Sequence, residues 1–140
     1  MGCRSQIRVW SDDEQVAFAA MRDAWEGMND LEMILSDWNP QAEVAQLNAQ
    51  GELKLSPKLR SAARTAQELT RSTGGAFDFE KGALFFAWRQ HRTRGEMLDP
   101  VEAQRLAALP PAHFPADGFA KLAPGNRWDF GGIGKGMAAD

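Results

Sequence analysis

A chain of 140 residues with 44% hydrophobic and 25% charged side chains holds enough apolar material for one packed domain, which argues against disorder. A formal net charge of −3 gives no general attraction to nucleic acid or acidic membranes. The single cysteine, Cys3, excludes an intrachain disulfide and leaves the redox compartment open.

In chain order, residues 6–10 alternate Ile7 and Val9 with polar neighbours and end in Trp10, which predicts a half-buried strand. Ser11 and Glu14 have capping-box spacing at the start of a helix, and Phe18, Met21, Trp25, Met28 and Leu31 then recur every three or four positions. That stripe reads as core packing rather than a cofactor box. Three further helix starts place a small polar residue before proline: Asn39-Pro40, Ser56-Pro57 and Asp99-Pro100. Residues 52–55 suit a short strand between the first two of these. The helix after Ser56 carries Leu59, Ala63, Ala66 and Leu69 on one face and is expected to end at Gly74 in the left-handed conformation.

Residues 83–88 are all apolar, which predicts burial on every side, and their continuation into Arg89, Gln90 and His91 favours a helix. The run is far too short to cross a bilayer. Arg89, His91, Arg92 and Arg94 ahead of Gly95 read as the basic decoration of that helix end rather than a phosphate patch. Pro110, Pro111 and Pro115 mark a rigid loop. Residues 119–122, a turn at Pro124-Gly125-Asn126, and residues 127–130 then predict a hairpin.

The hairpin leads into Gly131, Gly132, Gly134 and Gly136, with Met137, Ala138 and Ala139 as the first turn of a helix. This is not a nucleotide P-loop, since Lys135 is followed by Gly136 instead of Ser or Thr. Nor is it the dinucleotide fingerprint, because Gly132, Gly134 and Gly136 are evenly spaced. A strand, a glycine turn and a helix start with Lys135 beside it suit an anion, and a turn that merely packs closely suits the same residues equally well. Two other segments combine turn residues with aromatics: Trp38 lies in a polar turn between two helices, and Gly74-Gly75 precede Ala76, Phe77 and Asp78.

Taken in order, "LSDWNPQAEVAQLN" at 35–48, "TGGAFDFEKGAL" at 73–84 and "DFGGIGKGMAAD" at 129–140, with Met1-Gly2 leading into the first strand, resemble the ApbE family of FAD:protein FMN transferases. The resemblance implies a single α+β domain over residues 1–140, with a mixed or antiparallel sheet and flanking helices, incomplete at its C-terminus. It implies magnesium-dependent transfer of FMN from FAD to a Ser or Thr hydroxyl of an acceptor protein, with release of AMP. Carried over by position, Met1, Trp38, Ala76, Phe77, Asp78, Gly131 and Met137 would contact FAD, and the Gly134 carbonyl would bind Mg2+.

Where the family usually has Pro and Thr after Asp78, this chain has Phe79 and Glu80; Cys3 replaces Thr and Met137 replaces Tyr. The family's acidic metal ligands and a later His motif belong to a second half, so these 140 residues alone are expected not to transfer FMN. No catalytic residue is assigned, and His91 and His113 lie outside any matching motif. An inactive FAD-binding relative and a remnant without function are the alternatives. No export signal or membrane span is visible, which by itself points to the cytoplasm, whereas the family resemblance points to the periplasm or the outer face of the membrane.

Overall fold

The computed structural model describes residues 5–113 and 118–140. Its elements are α1 (Glu14–Leu35), α2 (Glu43–Gln50), β1 (Glu52–Lys54), α3 (Pro57–Ser72), a 3-10 turn (Phe79–Lys81), α4 (Gly82–Arg94), α5 (Pro100–Ala107), β2 (Phe119–Lys121) and α6 (Gly134–Met137). The result is an α+β arrangement in which helices surround a small antiparallel sheet.

Local chemistry accounts for most helix boundaries. Ser56 caps α3 by accepting from the Leu59 N–H at 3.1 Å, and the Glu43 carboxylate receives both the Ser56 N–H and its hydroxyl, tying the starts of α2 and α3 together. Asp99 caps α5 through the N–H groups of Val101 and Glu102. Beyond α3, Gly74 and Gly75 take φ values of +61° and +84°, which reverse the chain at little steric cost. The α1 cap is Asp13 rather than Ser11: its carboxylate accepts from Gln15 and Val16, while Ser11 holds the Asp13 N–H. Asn39-Pro40 forms a turn instead of a helix start, because the Asn39 side chain takes the Gln41 N–H and the helix begins only at Glu43.

Two apolar segments lie elsewhere than their patterns predict. Phe18 and Trp25 on the α1 stripe are 60% and 53% exposed, and only the last turns, at Leu31, Ile34 and Leu35, reach the core. On α4, Phe85, Phe86 and Trp88 are likewise exposed, although the segment is helical as expected; the Arg127 guanidinium covers the Phe86 ring at 4.4 Å. Residues 6–10 form no strand, since no segment among the described residues takes up their backbone hydrogen bonds, and all but Ile7 are exposed.

The sheet also departs from the predicted hairpin. β2 pairs with β1, Glu52 opposite Lys121 and Lys54 opposite Phe119, and His113 extends the pairing through reciprocal 2.9 Å bonds with Lys121. Pro115 lies outside the described residues.

Residues 127–130 do run extended, but toward α2 and α4. Asn48 donates to the Trp128 carbonyl at 2.9 Å and accepts its N–H at 2.8 Å, so one side chain does the work of a neighbouring strand. Gly82 donates to the Arg127 carbonyl, and a Cβ there would lie 2.6 Å from that same oxygen, which requires glycine. Trp128 thereby sits wholly buried between Phe79 and Phe130, with ring centroids 5.1 and 6.0 Å away. Leu47, Leu59 and Val44 complete the core beneath them. Asn48→Ala removes both of these bonds to the buried Trp128 backbone and is expected to destabilise the fold by about 2 kcal/mol, read as a lower urea midpoint.

Candidate functional site

The end of α1, the turn after it, one side of α4 and the glycine turn enclose a pocket of about 430 Å³. Leu35 and Ser36 form its floor from the last residues of α1 and its cap. The Ser36 hydroxyl accepts the Asn39 N–H at 3.1 Å and closes the turn that presents Asp37 and Trp38. Trp38 is 64% exposed, as other tryptophans of the chain also are in part.

On the opposite wall, Ile133 and Gly134 both donate to the Phe130 carbonyl, at 3.0 and 2.8 Å, and fold the glycines into a tight turn ahead of α6. Gly131 donates to Asp129 Oδ1 at 2.7 Å, and a Cβ on Gly131 would lie only 2.9 Å from that oxygen. Gly131, Gly134 and Lys135 line this wall, and Arg89 and Arg92 approach it from α4.

The charges are organised around Arg89. Its Nη1 donates to Asp129 Oδ2 at 2.8 Å, its Nη2 donates to Asp37 Oδ2, and Asp129 itself is buried. Paired in this way, Arg89 is more than helix-end decoration, whereas His91, Arg92 and Arg94 occupy the last turn of α4 ahead of Gly95, as the sequence suggests. Arg92 and Lys135 stay exposed at the pocket, in a lining that also carries the carboxylates of Glu32 and Asp37. The sequence alone gives no role to Asp37 or Asp129; the one signal for Asp129 is its place two residues before the glycines.

Of the residues predicted to meet a ligand, Trp38, Gly131 and Gly134 are brought together on the pocket wall. Phe77 is close by: a Cβ on Gly132 would come within 3.0 Å of its ring, so the glycine turn and the 74–78 segment pack directly. Ala76 is exposed beside it. Asp78 caps the 3-10 turn through the Glu80 N–H at 3.0 Å and lies 3.9 Å from Lys81 Nζ, off the pocket wall. Met137 turns toward the core and a larger cleft between α1 and α3. Met1 lies outside the described residues. The Gly134 carbonyl accepts the Ala138 N–H at 3.2 Å, leaving a second lone pair. Among the described residues, no group of three or more His, Cys, Asp or Glu side chains is placed to hold a metal.

Phe79 and Glu80, which depart from the family pattern, have structural employment. Phe79 is part of the aromatic core, and Glu80 accepts the Ala112 N–H at 2.7 Å, which anchors the proline loop away from the pocket. Burial pushes the Glu80 carboxyl above the ordinary value of 4.5, against the pull of hydrogen bonds from Ala112 and the Trp128 side chain.

The family model for ApbE matches residues 1–140, and the chain belongs to the ApbE family. Its fold is similar to that of Pseudomonas stutzeri flavinyl transferase ApbE in its apo form, with a TM-score of 0.76 at 21% identity over 91% of this chain and 43% of that one. The ApbE protein of Thermotoga maritima gives 0.77 at 20% identity, covering 91% of this chain and 44% of that one. The flavin transferase ApbE of Vibrio cholerae gives 0.64 at 19%, covering 90% and 42%. The chain therefore spans less than half the length of these structures. No curated protein matches it significantly. Among the described residues, no helix is long and apolar enough to cross a membrane.

A raised carboxyl pKa means that the folded state holds the Glu80 proton more tightly than the unfolded one, so stability declines as pH climbs from about 4.5 through the raised value. Glu80→Gln keeps an acceptor for Ala112 and removes the titration. Its urea midpoint is expected to match or exceed that of the unsubstituted chain at pH 7 and to lose this decline between pH 4 and pH 7.

Proposed function

We propose that this chain forms the flavin-binding part of an FAD:protein FMN transferase, which moves FMN from FAD to a Ser or Thr hydroxyl of an acceptor protein and releases AMP. The observation that carries the reading is the meeting of an exposed indole, Trp38, with a cationic glycine turn in one pocket. A ligand that joins a flat ring to a pyrophosphate matches both halves of that pocket.

In this reading the Trp38 ring stacks on the isoalloxazine, while Lys135 and Arg92 attract the phosphates as point charges. Gly131 lets the backbone come close to the ligand, and Phe77 supports the turn from behind. The acceptor hydroxyl oxygen bonds to the FMN phosphorus and gives up its proton to solvent as the bond between that phosphorus and the AMP oxygen breaks, and AMP carries away the bonding pair. Mg2+ is the metal this reading requires, and the Gly134 carbonyl is a hard oxygen donor suited to it. Once bound, the ion supplies positive charge that stabilises the pyrophosphate as it divides.

Titrating FAD with the chain is expected to quench flavin fluorescence, and Trp38→Ala is expected to weaken binding about tenfold, the scale of one lost aromatic stacking contact. Absence of quenching by the unsubstituted chain would sink the reading. With Mg2+ added, the chain alone is expected to release no AMP from FAD, because one carbonyl supplies little of the octahedral shell that the ion demands. Chromatographic detection of AMP checks this directly.

A further inference from the structure

Arg89 comes from α4, while the two carboxylates it engages belong to separate segments: Asp37 to the turn that lines one side of the pocket, and Asp129 to the buried stretch just before the lining residues Phe130 and Gly131. Asp37 immediately precedes Trp38, in a turn already closed by the Ser36 hydroxyl on the Asn39 N–H. Asp129 immediately precedes Phe130 and the glycines, and its second oxygen holds the Gly131 N–H at 2.7 Å. A continuous chain of hydrogen bonds thus runs from the Trp38 turn through one guanidinium to the backbone of the glycine turn.

We propose that Arg89 is a positioning residue that locks the Trp38 wall to the glycine-turn wall and so fixes the width of the pocket. The lock stands on side-chain geometry; that it sets the spacing for a flavin ring and its pyrophosphate rests on the function proposed above.

Three features favour a lock over incidental surface pairing. Asp129 is buried, so its carboxylate depends on a fixed cation. The guanidinium is planar and presents separate N–H groups to two acceptors, which a lysine ammonium cannot do at one geometry. The base of α4 is held as well, through the Gly82 N–H on the Arg127 carbonyl, two residues before Asp129.

The experiment compares the unsubstituted chain with Asp37→Asn, Arg89→Lys and Arg89→Met by two readouts. One is amide hydrogen exchange at Gly131 without flavin, followed by NMR with the paired-strand amides as an internal control. The other is the FAD titration. Arg89→Met strands a buried carboxylate, so the milder Asp37→Asn and Arg89→Lys carry the decision.

All three substitutions are expected to speed Gly131 exchange about tenfold, the scale of one charge-assisted hydrogen bond, with the strand amides unchanged. FAD binding is expected to weaken by a similar factor. The decisive case is Asp37→Asn, because a purely local role for Asp37 leaves Gly131 untouched. Unchanged Gly131 exchange in both milder variants, or full retention of binding and exchange in Arg89→Lys, overturns the lock. Altered exchange in a chain that never quenches FAD upholds the lock and removes the flavin reading, whereas FAD quenching with unaltered exchange does the reverse.

Discussion

Everything near the pocket depends on the way Trp128 is buried. A tryptophan can enter a core only if its peptide groups enter with it, and those groups need partners. Asn48 supplies both bonds from a single amide, although 80 positions separate the two residues. With the peptide satisfied, the indole packs against Phe79 and Phe130, and the chain leaves the core at a fixed place and direction. The glycine turn begins one residue beyond Phe130. Its position in space is therefore set first by core packing, to which the Arg89 ion pairs then add.

The same economy appears in how the site is assembled. The α2 and α3 starts are tied by Glu43 and Ser56, which steadies the body below the Trp38 turn. α4 presses its glycine end against Arg127 and sends Arg89 back toward the pocket. The pocket-lining segments are thus braced by neighbouring elements, with Arg89 both in the lining and joined to its surroundings, the arrangement that keeps a site organised before anything binds.

What could be read in the sequence was local. Ser56, Asp99 and Gly74 marked their boundaries because a cap or a left-handed turn is decided by a few adjacent atoms. Trp38 and the glycines stood out only through the order of the segments that carry them, which resembles the ApbE family; each segment alone suits a structural turn equally well. The pairing of residues 119–121 with 52–54 was hidden, since alternation shows that a segment suits a strand and says nothing about its partner. Arg89 was hidden for a related reason: among neighbouring basic residues it looks like one charge of several, and only the fold reveals the two carboxylates that distinguish it. The α1 stripe illustrates the converse. Its period is right, but period identifies an apolar face without saying what covers it.

The partial burial of α1 has a dynamic consequence. Among the described residues, the helix reaches the core through its last turns, at Leu31, Ile34 and Leu35, while its N-terminal portion carries the Asp13 cap and exposed apolar side chains. Such a helix need not melt as one unit with the core. Its outer turns can open and close as a separate low-stability segment while the Trp128 cluster stays folded, because few buried apolar groups join the two. The Trp38 turn lies at the anchored end, so opening that starts at Glu14 is expected to leave the pocket in place. One helix thus joins a soft end to a stiff end, and the pocket-lining turn is attached to the stiff one.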